Sequence, residues 1–184
     1  MRNIILIGYR GSGKTTVGKA LARKIGFSFL DTDEMVEMRT GRTIGEIVGE
    51  KGWPRFRKLE REVLRDLECV ERTVIATGGG IPEDPEKRKI LAALGRVVWL
   101  TATMEEMVRR IQADGTTGTR RPPLERGDLL SEIETTLKRR IPCYEDIADW
   151  TVDTAGKGIE TVADEILKKL EGEKYVRKHD RRPV

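Results

Sequence analysis

Gly8-Tyr9-Arg10-Gly11-Ser12-Gly13-Lys14-Thr15 decides the fold, because it matches the Gly-x4-Gly-Lys-Ser/Thr pattern of a phosphate-binding loop. It follows an apolar run at residues 4–7 and precedes a helical pattern that begins at Lys14, the strand–loop–helix context that this motif requires. Glycine lets backbone N–H groups approach a phosphate closely, and the first turn of a helix adds the positive end of its dipole. The sequence therefore predicts a site for the phosphates of a nucleotide.

Within this loop, we expect Lys14 to reach the β- and γ-phosphates and Thr15 to bind a magnesium ion. The residues expected to bind the nucleotide here are Gly11, Ser12, Gly13, Lys14, Thr15 and Thr16.

Short apolar runs alternate with amphipathic stretches along the rest of the chain. The predicted strands are residues 3–7, 28–30, 73–76, 97–100 and 150–152. The predicted helices are residues 14–25, 43–50, 57–69, 85–94, 105–113, 129–147 and 159–170. This alternation indicates one α/β domain, in residues 1–173, whose parallel sheet is covered by helices on both faces.

Two carboxylates follow the second predicted strand in Asp31-Thr32-Asp33. Residues two apart on an extended chain point the same way, and the carboxyl ends of parallel strands face the ligand crevice. One carboxylate is therefore suited to the magnesium shell and the other to a substrate hydroxyl. An equally good alternative is that Asp33 caps the N-terminus of a helix.

Two further motifs each allow an ordinary structural interpretation. In Phe56-Arg57-Lys58-Leu59-Glu60, the pair Arg57 and Glu60 has the spacing of an exposed i,i+3 ion pair, which is the favoured interpretation of the motif by itself. Gly78-Gly79-Gly80 directly follows the third predicted strand. It is either a plain flexible turn or a place where another group must approach the backbone closely.

Residues 114–128 show neither a helical nor a strand period and are rich in Gly, Thr, Pro and Arg. A stretch of this kind in a compact domain is usually either a functional lid or disordered. Two of its arginines, Arg120 and Arg121, favour a lid, since guanidinium groups bind phosphate and carboxylate well. Arg140, before Pro142 in the following helix, is either a second such group or a solvated charge.

Composition excludes several classes of protein. No apolar run among the 184 residues approaches the ~20 that a membrane span needs, and the N-terminal run lacks a signal-peptide cleavage site. The single histidine, His179, argues against Ser-His or Cys-His catalysis in the body of the chain. Cys69 and Cys143 are expected to be free thiols of a cytoplasmic protein.

Residues 174–184 form a basic tail, with five basic residues and one acidic residue, which equals the whole formal net charge of +4. The body of the chain is therefore formally neutral. We interpret the tail as a frayed, solvated end and expect no nucleic-acid partner.

In the order in which they occur, these motifs resemble those of the shikimate kinases. The matching elements are the phosphate-binding loop, Asp31-Thr32-Asp33, Phe-Arg-x-x-Glu at 56–60, Gly78-Gly79-Gly80, Arg121-Pro122, and Arg-x-Pro-x-Tyr at 140–144. The resemblance extends over roughly residues 3–170. It implies a nucleoside-monophosphate-kinase-like fold, three-layer α/β/α with a five-stranded parallel sheet, and transfer of the ATP γ-phosphate to the 3-hydroxyl of shikimate.

The resemblance also implies a role for each matching residue. Lys14 and Thr15 serve ATP and Mg²⁺, with Asp31 in the magnesium shell. Asp33 holds the attacking hydroxyl and accepts its proton. Arg57 and Arg140 clamp the shikimate carboxylate, and Gly78, Gly79 and Gly80 line the substrate pocket. Arg121 closes over the transferring phosphate. Arg110 packs near the adenine.

Three positions depart from the family pattern: Trp53, Val48 and the proline-free loop Asp153-Thr154-Ala155-Gly156. None of them removes a group that phosphoryl transfer needs. A gluconate kinase or a nucleotide kinase would share the phosphate-binding half of the site, and a nucleotide-binding regulator without activity is the rival from another class. We expect a monomeric enzyme.

Overall fold

The computed structural model describes residues 3–113 and 129–179, and for residues 173–179 the backbone alone. Its strands are β1 (Asn3–Ile7), β2 (Ser28–Asp31), β3 (Thr73–Ala76), β4 (Gly95–Thr101) and β5 (Trp150–Asp153). They form one parallel sheet in the order β2-β3-β1-β4-β5. The sheet confirms the predicted fold class.

The described helices are α1 (Lys14–Ile25), α2 (Thr32–Thr40), α3 (Ile44–Asp66), α4 (Pro85–Leu94), α5 (Met104–Ala113), α6 (Leu129–Ile147) and α7 (Ile159–His179). Short 3₁₀ turns lie at Leu67–Cys69 and Ile81–Glu83. None of the helices in the described residues could cross a membrane.

The central strand β1 is buried on both faces, and its side chains alternate between two cores. Ile4 and Leu6 belong to a core that includes side chains of α1 and α7, whereas Ile5 and Ile7 belong to one with side chains of α3, α4 and α6. Because successive side chains of a strand point to opposite faces, this single strand organises both layers of helices.

Two helical segments differ from the sequence prediction. α2 is absent from the predicted helices, although the capping alternative for Asp33 implied a helix there, because only Thr32 and Val36 of its nine residues are buried and the apolar stripe is too short to recognise. α3 joins two predicted helices, and Gly52 between them has a φ of 72°. Glycine adopts that left-handed conformation readily, so the chain turns there and resumes at Pro54, in the first turn of the second half.

The last helix continues to His179, beyond the predicted end at residue 170, and its backbone includes the first part of the basic tail. The division of the chain at residue 173 stays a prediction. Cys69 and Cys143 are both free, as predicted.

Gly95 provides a test of the sheet. A Cβ at this position would lie 2.0 Å from the backbone oxygen of Asn3, the residue opposite it on β1. Because a backbone atom of a buried strand cannot move aside cheaply, Gly95→Ala should lower the free energy of unfolding by about 1–3 kcal/mol, as overpacking does. Thermal unfolding measures this as a loss of several degrees in Tm.

Gly49→Ala is the matched control. Gly49 is helical and no atom lies within 4 Å of its added Cβ. This variant should keep or slightly raise the Tm, since alanine favours helix over glycine. A Gly95→Ala protein as stable as the parent would contradict the proposed close approach of β1 and β4.

Candidate active site

An open cleft of about 810 Å³ lies at the carboxyl ends of the strands. Among its lining residues are eight of the predicted site residues: Gly11, Gly13, Lys14, Thr15, Thr16, Asp31, Asp33 and Arg110. In a parallel α/β sheet this edge is where ligands bind, and the volume is within the usual range for small-molecule sites.

The phosphate-binding loop has a backbone that requires glycine. Gly8, Gly11 and Gly13 have φ values of 139°, 78° and 92°. A Cβ on Gly8 would lie 2.4 Å from the Leu100 backbone oxygen, so this turn also presses closely on β4. Gly13 is the N-cap of α1, which places the positive end of the helix dipole in the loop.

Lys14 lies across the loop. Its ammonium donates hydrogen bonds to the backbone oxygens of Gly8 and Tyr9, each at 2.8 Å. The lysine charge is therefore held directly over the loop that would contain the phosphates. Thr16, the last predicted residue of the loop, donates to the Gly13 oxygen at 3.0 Å and lines the cleft.

Asp31 connects α1 to the start of α2. One carboxylate oxygen accepts a hydrogen bond from the Thr15 hydroxyl at 2.9 Å, and the other accepts from the Asp33 backbone N–H at 3.0 Å. Asp31 is the N-cap of α2, so the alternative in which Asp33 was the cap is wrong. A hydroxyl and a carboxylate oxygen this close are hard oxygen ligands of the kind that Mg²⁺ prefers.

Asp33 faces the glycine run. A Cβ on Gly78 would lie 2.8 Å from its Oδ1 atom and 3.2 Å from a carboxylate oxygen of Glu60. The Gly78 N–H also donates to the Thr32 hydroxyl at 2.9 Å. Gly78 is therefore a place of close approach, and the plain-turn interpretation of the glycine run fails at this position.

A second, narrower pocket adjoins the first beyond Asp33. It is lined by Tyr9, Arg10, Ile44, Trp53, Phe56, Arg57, Glu60, Gly78, Gly79, Gly80 and Arg140. Both predicted clamp arginines and all three glycines are thus brought to one place. Of the positions that depart from the family pattern, Trp53 lines this pocket and Val48 packs in the core between α2 and α3.

Arg57 is fixed on several sides. Its Nη1 atom lies 2.9 Å from both carboxylate oxygens of Glu60, and its guanidinium lies 5.6 Å from the centre of the Trp53 ring. A Cβ on Gly80 would lie 2.5 Å from its Nη2 atom. The prediction of an exposed i,i+3 pair is wrong, because Glu60 is buried and also pairs at 2.8 Å with Lys87, which is buried too.

Arg140 is nearly buried, which excludes a solvated charge. Its Nε atom donates to Glu83 at 2.7 Å, and its guanidinium lies 5.8 Å from the centre of the Tyr9 ring. Burial acts to raise the pKa of Glu83, but Arg140 and Arg139 outweigh it and hold that pKa below its ordinary value. Arg140 is therefore oriented by an ionised carboxylate.

Tyr144 holds the backbone of the glycine run in place. Its hydroxyl donates to the Gly79 backbone oxygen at 2.6 Å, and burial raises the pKa of that hydroxyl. The tyrosine therefore stays neutral and keeps its proton for this hydrogen bond. In the motif at residues 140–144, Arg140 thus lines the pocket and Tyr144 holds the Gly79 backbone that lines it.

Arg110 joins the phosphate-binding loop to the loop after β5. It donates to the Gly11 oxygen at 3.1 Å and to both the hydroxyl and the backbone oxygen of Thr154 at 2.9 Å. Thr154 in turn donates to Thr101 at 2.8 Å. The proline-free loop is therefore anchored by this threonine.

Sequence reasoning missed four of the groups that hold the site, Lys87, Glu83, Thr154 and Glu132. Glu132 pairs with Arg10 of the loop at 2.5 Å. Each of these lies on a different element from its partner, so no local spacing pointed to it. The predicted lid residues Arg120 and Arg121 lie outside the described residues.

Known proteins resemble this chain over nearly its whole length. The family model described as shikimate kinase matches residues 10–171. The shikimate kinase of Syntrophus aciditrophicus is 43% identical over 183 residues, 95% of this chain and 93% of its own length. The shikimate kinase of Thermodesulfovibrio yellowstonii is 40% identical over 171 residues, 93% of this chain and 96% of its own.

Solved structures give the same result. The shikimate kinase of Acinetobacter baumannii in complex with shikimate superposes with a TM-score of 0.88 at 35% identity, covering 95% of both chains. A gluconokinase from Sinorhizobium meliloti superposes with a TM-score of 0.59 at 19% identity, covering 96% of this chain and 97% of its own, a likeness in fold alone.

The pairing of Glu83 with Arg140 predicts a pH dependence. The pKa of Glu83 is lowered on folding, so the ionised carboxylate stabilises the folded protein. This contribution to the free energy of unfolding is complete above the ordinary pKa of 4.5 and is lost as the pH falls through the lowered value. Glu83→Gln should therefore cost about 3 kcal/mol at pH 7, as when a buried charge loses its partner. The same substitution should cost less at pH 3, below the ordinary value, where protonation has begun to remove that contribution.

Thermal unfolding of the parent and of Glu83→Gln at both pH values measures this difference. Glu86→Gln is the control, because Glu86 pairs with Lys89 on the exposed surface of the same region and should cost little at either pH. A Tm difference between parent and Glu83→Gln that stays constant with pH would contradict the ionised pairing.

Proposed function

Because this chain belongs to the shikimate kinase family, whose members transfer the γ-phosphate of ATP to the 3-hydroxyl of shikimate, we propose how its residues divide that reaction among themselves. The observation that carries the proposal is the junction of the two pockets. Asp33 and Gly78 lie where the cleft with the phosphate-binding loop meets the pocket with Arg57 and Arg140. A phosphoryl donor and an anionic acceptor would meet at that junction.

On the nucleotide side, the residues proposed to bind ATP are those of the loop, Gly11 to Thr16, together with Arg110. The open backbone of the loop and the start of α1 suit the phosphates. Lys14 carries a charge over the loop that can follow the γ-phosphate during transfer. Arg110 lines the cleft beside Thr154, so it would pack near the base-binding end.

Thr15 and Asp31 are the residues proposed to hold Mg²⁺. Their oxygens lie 2.9 Å apart, and Asp31 is oriented by its second hydrogen bond to the Asp33 backbone. When bound, the ion would supply neutralisation of the charge on the nucleotide phosphates. The hydroxyl–carboxylate pair fits that ion better than a soft metal, which would prefer sulfur or nitrogen ligands.

Asp33 is the residue proposed to hold the acceptor hydroxyl and to accept its proton. Its carboxylate lines the cleft and faces the glycine run. Gly78, Gly79 and Gly80 line the pocket beside it, and only glycine lets the neighbouring groups lie so close, because a Cβ at any of them would meet a polar atom at 3.1 Å or less. Phosphoryl transfer needs this positioning more than covalent chemistry.

Arg57 and Arg140 are the proposed carboxylate clamp for shikimate. Both line the second pocket, and each is held by an acidic residue, Glu60 and Glu83 respectively. A guanidinium fixed in this way keeps its remaining N–H groups in place for a planar anion.

Arg121 is proposed to close over the transferring phosphate as part of a lid at about 114–128, residues outside the described ranges. We further propose a single domain over residues 1–173 with a basic tail at 174–184. A monomer in the cytoplasm without a nucleic-acid partner is proposed on the basis of the family and of the formally neutral body of the chain.

Kinetics of two variants separate chemistry from binding. Asp33→Asn should lower kcat by about a hundredfold, the scale of losing an acid–base group. Arg57→Ala should act mainly through the KM for shikimate, raising it about tenfold or more, since a charged hydrogen bond to a carboxylate acts in the ground state and in the transition state alike. Steady-state assays of ADP release at varied shikimate measure both constants.

Lys58→Ala is the control, because Lys58 is an exposed neighbour of Arg57 on the same helix. It should leave both constants nearly unchanged. A normal KM for shikimate in Arg57→Ala would refute the clamp, and an undiminished kcat in Asp33→Asn would refute the role of the aspartate.

A further inference from the structure

Lys87 is a buried lysine that the mechanism above does not use. It lies in the first turns of α4, its side chain is 1% exposed, and it is absent from the lining of both pockets. A lysine is rarely buried in this way unless its charge is paired. Its ammonium lies 2.8 Å from Glu60 Oε2.

Glu60 connects this lysine to the substrate pocket. The same carboxylate lies 2.9 Å from Nη1 of Arg57, and its own side chain is 1% exposed. Arg57 is 33% exposed and lines the pocket. The result is a continuous row of three charges, Lys87, Glu60 and Arg57, in which the arginine is the most exposed member.

The net charge of this row determines how strongly the pocket attracts an anion. Glu60 and Arg57 by themselves would form a neutral pair, and the carboxylate of Glu60 would compete with that of a ligand for the guanidinium. With Lys87 paired to Oε2 of Glu60, an oxygen that Arg57 also contacts, the row has a net charge of +1. Charges in a poorly solvated place act over several ångströms with little screening.

We propose that Lys87 is a positioning residue for the substrate. By pairing with Glu60, it leaves the positive charge of Arg57 available to the carboxylate of shikimate. This inference rests on the proposed clamp. Lys87 itself touches no substrate and acts through Glu60, which also holds Arg57 against Gly80.

A purely structural role is the competing explanation, since Lys87 also joins α4 to α3 through the same ion pair. The two explanations differ in what they predict for an uncharged ligand. A loosened pocket would bind every substrate less well. A lost charge would weaken binding of the shikimate anion and spare its methyl ester, which keeps the ring and the reacting 3-hydroxyl.

The experiment compares kcat/KM for shikimate with kcat/KM for methyl shikimate in the full-length enzyme with ATP and magnesium. Lys87→Met removes the charge and keeps much of the volume. The ratio of the two constants should fall about tenfold in this variant, the scale of one poorly screened charge at several ångströms. Because both substrates are measured on the same folded enzyme, any loss of folded protein cancels in the ratio.

Lys89→Met is the matched control. Lys89 lies on the same helix but is exposed and pairs with Glu86. This variant should leave the ratio at the parent value. If the ratio falls equally in both lysine variants, the effect is a general loss of positive charge and the proposal is overturned.

Arg57→Ala distinguishes failure of this inference from failure of the clamp. A fall of the ratio in Arg57→Ala without one in Lys87→Met would overturn the role of Lys87 and leave the clamp standing. A ratio that Arg57→Ala does not change would overturn both.

Lys87→Met leaves Glu60 buried with one partner and so risks misfolding. The same comparison is therefore made in a Glu60→Gln background, in which the lysine substitution strands no buried carboxylate. There, adding Lys87→Met should leave the ratio unchanged, because no carboxylate remains at position 60 for the lysine to neutralise. An about tenfold fall of the ratio in that background would overturn the proposal, since Lys87 would then act without Glu60.

Discussion

The carboxylate of Asp31 is the contact on which the rest of the site depends. It accepts from the Thr15 hydroxyl at the start of α1 and from the Asp33 N–H in the first turn of α2. One side chain thus fixes the phosphate-binding loop relative to the aspartate proposed to hold the acceptor. Phosphoryl transfer depends on the alignment of donor and acceptor. The reaction therefore requires a fixed relative position of the phosphate-binding loop and Asp33.

Compensation of charge is the second constraint on this site. Each proposed clamp arginine has an acidic partner, Glu60 for Arg57 and Glu83 for Arg140. Such partners orient a guanidinium, but they also reduce its attraction for a ligand. The buried Lys87 beside Glu60, and Arg139 beside Glu83, return positive charge to the pocket. Orientation and affinity are thereby obtained together.

Local patterns in the sequence predicted the sheet and the phosphate-binding loop, whereas the places of Arg57, Arg110 and Arg140 at the site were implied by the resemblance to the shikimate kinases. Strand β1 is a buried apolar run, and the loop has glycines at the positive-φ positions. Contacts between distant elements could not be predicted in this way. An i,i+3 pair such as Arg57 and Glu60 looks the same exposed or buried, and Lys87 comes from another helix. Helix α2 was missed because few of its residues are buried.

The most direct test of the account is a coupled assay of ADP release with ATP and magnesium, in which shikimate, gluconate and nucleoside monophosphates are compared in parallel. The phosphate-binding half of the site would serve all three classes of acceptor, whereas the pocket of Arg57, Arg140 and the glycine run suits a small carboxylate-bearing ring. The account predicts that shikimate stimulates ADP release far more than the others. Greater stimulation by gluconate or by a nucleoside monophosphate would contradict it.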